Sequence, residues 1–278
     1  LNLSAPERPK APFGARSVVI TERRVAGPYV ALTAVDPAGP VPAAGQFYML
    51  RAAERWGGGE DGRAYLPRAL SFARCTPTEA GTALDFLFEP VGPGTERLAQ
   101  LAPGEELVLT GPFGNGFVHV AGSRALLVAG GIGLAPIVAL RDQLIGAGEA
   151  RHELMVGMRS HEHAEALGLF GIDAGLTTDD GSAGEQGFVT TLLSRALDST
   201  GPAVVYACGP DVMLDAVRAI CTSEDVPGQL AMESGMACGF GACFGCVVPT
   251  EDGYIRLCVD GPVVAADRVA RVERAEQG

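Results

Sequence analysis

From Ala15 to about Thr110 the apolar residues come in short β-rich runs separated by Gly/Pro turns. The runs are RSVVITERRV, YVALTAVD, QFYMLRA, ALSFARC, ALDFLFEPV and ELVLTGPF. Short β-rich runs without a long helical period predict an antiparallel barrel or sandwich. Between the third and fourth runs, RWGGGEDGR (Arg55 to Arg63) reads as a flexible tip, since consecutive glycines carry the largest backbone entropy.

Near Ser123 the rhythm changes. Buried-type runs (RALLVAG, HELMVGMRS, AGLTTDD, AVVYACGP) now alternate with amphipathic stretches (LAPIVALRDQLIGAG, GFVTTLLSRAL, DVMLDAVRAICTSE). Apolar strands each followed by a helix predict a parallel sheet covered on its faces. After EDVPGQ a cysteine-bearing segment closes the chain, too short to build a large core of its own and so a candidate for stabilisation by a metal centre. The expected organisation is a β-barrel unit over 1–117, an α/β unit over 118–227 and a small unit over 228–278.

Length and charge fit this division. A chain of 278 residues exceeds the ~100–200 residues of one ordinary domain. Its formal charge of -12, with no basic cluster, argues against nucleic acid as a partner. The most apolar segment, Ala125 to Leu140, is bounded by arginines and broken by glycines and a proline, short of the ~20 residues a bilayer span needs. No basic stretch followed by an apolar one opens the sequence, so a cytoplasmic protein without a secretory leader is expected. The odd count of 7 cysteines agrees, because a disulfide framework would leave one thiol over.

Four of those cysteines, Cys238, Cys243, Cys246 and Cys258, are spaced C-x4-C-x2-C-x11-C. The first three match the loop of plant-type [2Fe-2S] ferredoxins, in which four soft thiolates complete two edge-sharing tetrahedra. Gly239, Gly241 and Gly245 are expected at positive φ, turning N–H groups toward an anionic cluster. The fourth cysteine returns by a short hairpin, VVPTEDGYIRLC, with its turn at Glu251-Asp252-Gly253. The competing reading is a zinc site; zinc knuckles usually come as two C-x2-4-C pairs, and only Cys243 and Cys246 form one here. Cys75 and Cys221 read as small buried hydrophobes.

Nucleotide chemistry is written in the α/β unit. LLVAGGIGLAPIVAL is a strand, a glycine turn and a helix, with Gly131, Gly133 and Pro136 forming G-x-G-x-x-P. Free N–H groups at that helix start would face a pyrophosphate, and a proline in the first turn costs no hydrogen bond. Cys208 and Gly209, in ACGPDVM, end another strand, where open α/β sheets bind ligands. No acidic residue closes the strand after the glycine turn; Arg159 and Ser160 stand there, so the choice between NAD and NADP stays open. In the β-rich unit, Arg68 and Ser71 of LPRALSF suit a phosphate and a ring-edge hydrogen bond from one strand face, and Gly94 and Thr95 ahead of a short helix form a second anion cradle. Asp179 with Asp180 reads as a turn, and His161 with His163 as a solvated loop.

A barrel carrying R-x-x-S and Gly-Thr, followed by GGIGxAP and CGP in an α/β unit, resembles the ferredoxin-NADP reductase superfamily. The appended MACGFGACFGC, with its later fourth cysteine, narrows the resemblance to the electron-transfer subunits of type B dihydroorotate dehydrogenases, over about residues 15 to 265. GPFGNGF, TTDDGSAGEQGFVT, MESGMACG and CVDGPVV carry it further. The resemblance implies FAD in the barrel, contacted by Arg68, Ala69, Leu70, Ser71, Leu87, Phe88, Glu89, Gly94 and Thr95. The wider superfamily has a tyrosine at the position of Leu70, and Glu89 is acidic beside where flavin phosphates would lie. It further implies NAD at the second unit, a [2Fe-2S] cluster at the third, and no catalytic residue of its own for substrate oxidation. Its partner would be a catalytic subunit that oxidises dihydroorotate in pyrimidine biosynthesis, as a heterotetramer with two of each chain. Related reductase subunits serve sulfide dehydrogenases, transhydrogenases and hydrogenases, and a reading from another class is a zinc-stabilised adaptor.

Overall fold

The computed structural model describes residues 14–59, 62–149 and 151–270. Glu60 and Asp61 of the glycine tip, and the outermost residues of the first and third units, lie outside them.

All six runs form strands: β1 (Arg16–Ala26), β2 (Tyr29–Asp36), β3 (Phe47–Ala52), β4 (Arg68–Thr78), β5 (Gly81–Phe88) and, after helix α1 (Pro93–Ala99), β6 (Glu106–Phe113). They close into an antiparallel barrel in the order β1-β2-β5-β4-β3-β6, with β1 returning to β6. Closure leaves no free sheet edge. The interior is filled by Ile20, Leu32, Tyr48, Leu50, Phe72, Leu84, Phe86 and Phe88, all buried.

The α/β part runs β7 (Arg124–Gly130), α2 (Leu134–Gly146), β8 (His152–Met158), α3 (His161–Ala164), α4 (Ala166–Phe170), β9 (Gly175–Thr178), β10 (Glu185–Gln186), α5 (Val189–Leu197), β11 (Ala203–Cys208), α6 (Asp211–Ser223) and β12 (Gly228–Ala231). The chain then folds the hairpin β13 (Val247–Thr250) and β14 (Gly253–Arg256), the turn of helix α7 (Leu257–Asp260) and β15 (Val263–Ala265). The sheet order is β10-β9-β8-β7-β11-β12-β15, parallel except for β15. From β7 the chain builds outward to β8 and β9, then crosses back to lay β11 on the other side of β7. That reversal makes the gap between β7 and β11 the topological switch point, where open α/β sheets bind ligands at the carboxyl ends of their strands.

The segment from Gly228 onward, read above as a separate unit, therefore adds two strands to the nucleotide sheet. The cysteine loop hangs between β12 and β15, fastened by Met232 N donating to Pro262 O (2.9 Å). Barrel and sheet are joined by Arg74 Nε on Asp142 Oδ2 (2.8 Å), Arg24 Nη1 on Leu169 O (2.8 Å) and Gln143, whose Nε2 donates to Pro42 O (3.0 Å) while Oε1 accepts from Ala44 N (3.0 Å). No helix among the described residues is long and apolar enough to cross a membrane.

Candidate functional site

Three parts of the chain meet at one cleft. The barrel supplies Phe47, Ala69, Leu70, Ser71 and Leu87; the first turns after β7 supply Ile132, Ala135 and Pro136. The segment leading to the first cysteine supplies Met232, Glu233, Ser234 and Met236, with Pro262 beside them. Residues read separately as flavin contacts and as a nucleotide motif thus face one space, at the switch point.

Arg68 and Ser71 do not share a strand face. Side chains alternate along a strand, so Ser71 keeps company with Ala69, while Arg68 points elsewhere. Its guanidinium lies 5.8 Å from the Trp56 ring and donates from Nη1 to Leu66 O (2.7 Å). A Cβ added to Gly94 would come within 2.4 Å of Arg68 Nε, so only glycine lets the guanidinium rest on this helix. The two anion-binding signals of the barrel therefore converge. Gly94 and Thr95 lie within the first turn of α1 rather than ahead of it, because the helix begins at Pro93, a residue preorganised for that place. Thr95 Oγ1 accepts from Val91 N (2.9 Å) and donates to Gly92 O (3.1 Å), closing the loop locally. Trp56 Nε1 is buried with no partner beside Arg68, a donor in place for a polar ligand. These features fit the phosphate end of a flavin nucleotide and the apolar cleft fits its ring. Phe88, expected in contact with flavin, packs in the barrel core. Gly94→Ala is expected to displace a flexible guanidinium rather than backbone, so FAD affinity falls about tenfold, the scale of one charge-assisted hydrogen bond, with little change in melting temperature. Flavin retention on dialysis and a thermal melt check both halves.

At the switch point Gly131 takes φ +52° and the chain turns through Gly131–Gly133 into α2, with Pro136 in its first turn. Gly133 packs on the end of β11: its Cβ would stand 2.3 Å from Cys208 O. Gly130 and Gly209 pack together against Met213 in the same way. Cys208 itself is buried, its thiol pushed well up by desolvation and by the charge of Glu233. It supports the turn and does not line the cleft. Glu233 lines the cleft with its side chain exposed; partial desolvation there, and then the charge of Asp211, raise its carboxyl above the ordinary range. Nothing in the alternation pattern pointed to Glu233, although it stands in MESGMACG immediately before the first cysteine.

The four cysteines form two sulfur pairs. Cys246 and Cys258 are buried with Sγ atoms 3.2 Å apart, and Cys258 N donates to Cys246 Sγ (3.5 Å). Cys238 pairs with the exposed Cys243. Burial opposes ionisation of Cys238, but backbone N–H groups of Cys243, Phe240 and Ala242 and the Cys243 thiol outweigh it and hold the thiol down at about 6. In the other pair, burial and the Cys246 sulfur push the Cys258 thiol up to about 12. Among the described residues no three Cys, His, Asp or Glu side chains converge on one metal ion. Two pairs suit a dinuclear centre, each metal taking two thiolates, better than one tetrahedral zinc. Gly239 (φ +81°) and Gly241 (φ +89°) adopt the expected left-handed backbone; Gly245 does not. Phe244 takes that conformation one residue earlier (φ +59°), its ring 5.4 Å from the Arg256 guanidinium, and Gly245 N donates to Cys243 Sγ (3.4 Å). The expected hairpin pairs Thr250 with Gly253 across a two-residue turn. Cys75 and Cys221 stand apart, each thiol pushed up to about 11 by burial.

A closed barrel, a nucleotide-type sheet whose switch point opens on the barrel, and a four-thiol loop between the sheet's last strands define the ferredoxin-reductase architecture with an iron–sulfur module. A solved structure of an NADH-dependent reduced ferredoxin-NADP oxidoreductase shares it at TM-score 0.76 and 24% identity, over 93% of this chain and 91% of that one. Phthalate dioxygenase reductase matches at TM-score 0.60 and 16% identity, over 93% and 96%. Residues 233–270 match the iron-sulfur cluster binding domain of dihydroorotate dehydrogenase B. The dihydroorotate dehydrogenase B (NAD(+)) electron transfer subunit of Caldanaerobacter subterraneus is 33% identical over 261 residues, 90% of this chain and 96% of that protein. Its namesake from Bacillus caldolyticus is 40% identical over 193 residues, 66% and 72% of the two chains. The chain belongs to the family of dihydroorotate dehydrogenase B electron transfer subunits.

Proposed function

We propose that this chain carries electrons between a catalytic subunit that oxidises dihydroorotate and NAD, with FAD and a [2Fe-2S] cluster as its carriers. The observation that carries this reading is the continuity of the cleft with the thiol loop: Met236, two residues before Cys238, lines the cleft, and Gly239 packs so closely on the barrel that its Cβ would lie 2.5 Å from Met49 Cγ. When bound, flavin supplies the conversion between two-electron hydride chemistry and single electrons.

The chain's own residues divide the remaining work. Ala69, Leu70, Ser71 and Leu87 wall the ring's place, and Arg68 on Gly94 offers charge to its phosphates. The Gly131–Gly133 turn, held on Cys208 O, presents N–H groups to a pyrophosphate. Cys238, Cys243, Cys246 and Cys258 hold the cluster, with backbone donors turned toward the outer sulfurs. Phe240 and Phe244, exposed beside Cys243, give a partner apolar surface at the point of transfer. The assembly is a heterotetramer with two of each chain, in the cytoplasm, where thiols stay reduced.

Anaerobic purification with the neighbouring subunit tests this. Two irons and two sulfides per chain are expected with one FAD, together with dihydroorotate-driven reduction of NAD and a complex mass of two plus two. A colourless preparation containing zinc, or a coloured one inert to dihydroorotate, would refute it.

A further inference from the structure

β8 ends at Met158 and is followed by Arg159 and Ser160, at the place where a dinucleotide fold sets an acidic residue for the ribose 2'-hydroxyl. β8 lies beside β7 in parallel register, Gly157 opposite Gly130, so Arg159 leaves the strand next to the one that ends in the glycine turn. Arg159 is exposed and enters none of the ion pairs found among the described residues, whereas Arg16, Arg24, Arg74, Arg97 and Arg195 are each committed to a carboxylate. Two acids of the adjoining loops have other partners. Asp180 Oδ1 accepts from Ser182 N (3.0 Å) and Oγ (2.6 Å), and Glu165 Oε2 accepts from Gly27 N (2.9 Å).

The loop bearing Arg159 is fixed against the barrel. Ser160 Oγ lies 2.9 Å from His163 Nδ1, and the His163 ring meets Tyr29 edge-on at 5.8 Å. The Tyr29 hydroxyl stands 3.8 Å from where a Cβ on Gly131 would be, and the charges of Arg159 and of Glu89 both reach it, in opposite senses. Arg159 therefore leaves its strand beside the one that feeds the glycine turn, on a loop seated against the barrel, and enters no ion pair among the described residues.

We infer that Arg159 reads a 2'-phosphate, so that the chain accepts NADP as well as the NAD named for its relatives; this rests on the reading that the Gly131–Gly133 turn holds a dinucleotide. The guanidinium offers a planar fork of donors that matches phosphate geometry, and its charge is not already neutralised.

Calorimetric titration of the FAD-loaded chain with 5'-AMP and with 2',5'-ADP, which differ by that one phosphate, tests it. The second is expected to bind about tenfold more tightly, with the excess declining as salt is added. Arg159→Ala should bring the two to equality while leaving 5'-AMP affinity unchanged, and Arg159→Lys should keep part of the preference. Equal affinities in the native chain, or a preference surviving in Arg159→Ala, would overturn the inference alone. Failure of both nucleotides and of NADH to bind would remove the dinucleotide site and the inference together.

Discussion

Cys246→Ser is expected to end electron delivery to the partner while FAD stays bound and NADH still reduces a dye. Cys246 is 2% exposed, its sulfur 3.2 Å from that of Cys258, so the two form the inner pair of the cluster site. Serine places a hard, short-reaching oxygen where a soft thiolate is needed. Altering a second-shell partner of a metal ligand already costs 10–100-fold, so loss of a ligand should lower transfer by about a hundredfold or more. Iron and acid-labile sulfide should fall to background, and visible absorbance should reduce to that of flavin. The barrel and the switch point are built without this sulfur, which is why the hydride half of the activity survives. Cys221→Ser is the control: its thiol, on α6, is also buried but packs beside Gly228 of β12, away from the loop, and iron should remain at two per chain. Full iron with undiminished transfer in Cys246→Ser would rule out these sulfurs as the route.

Local chemistry made much of this legible from sequence. The barrel strands were readable because they are short β-rich runs bounded by glycine and proline turns, although only β1 and β6 alternate buried and open positions over much of their length. The cysteine spacing and the Thr250–Gly253 hairpin are fixed by residues close together in the chain. What stayed hidden depends on distant pairing. β12 has four residues, all buried, and β15 has three, two of them buried; both are too short to carry a period, and their place in the nucleotide sheet comes from pairing with each other and with β11. Glu233 is an ordinary acid in the sequence, and only the fold brings it to the cleft wall, where its charge reaches Cys208. The split of Arg68 from Ser71 follows from strand alternation and was readable, as was the helix start at Pro93. At Phe244 an aromatic residue holds a left-handed turn beside a glycine, and nothing local selects between the two positions.

Gly133→Ala is expected to be the most damaging single methyl addition at the switch point. Its Cβ would stand 2.3 Å from Cys208 O, 2.4 Å from Cys208 C and 2.6 Å from Gly209 N, all backbone atoms that cannot rotate aside. Either the glycine turn or the end of β11 must move, and both are pinned further by Gly130 and Gly209 packing against Met213. Overpacking of this kind costs about 1–3 kcal/mol of stability. The larger effect falls on function, since the shifted N–H groups no longer aim at one point; NADH affinity should drop about tenfold or more, while FAD and iron stay at native levels. Gly131→Ala separates the contact from the conformation. Gly131 has room, with nothing nearer than the Tyr29 hydroxyl at 3.8 Å, but sits at φ +52°, where a side chain costs about 1–2 kcal/mol. NADH titration should therefore rank Gly133→Ala well below Gly131→Ala, and equal losses would locate the sensitivity in the turn's backbone conformation instead of its seat on Cys208.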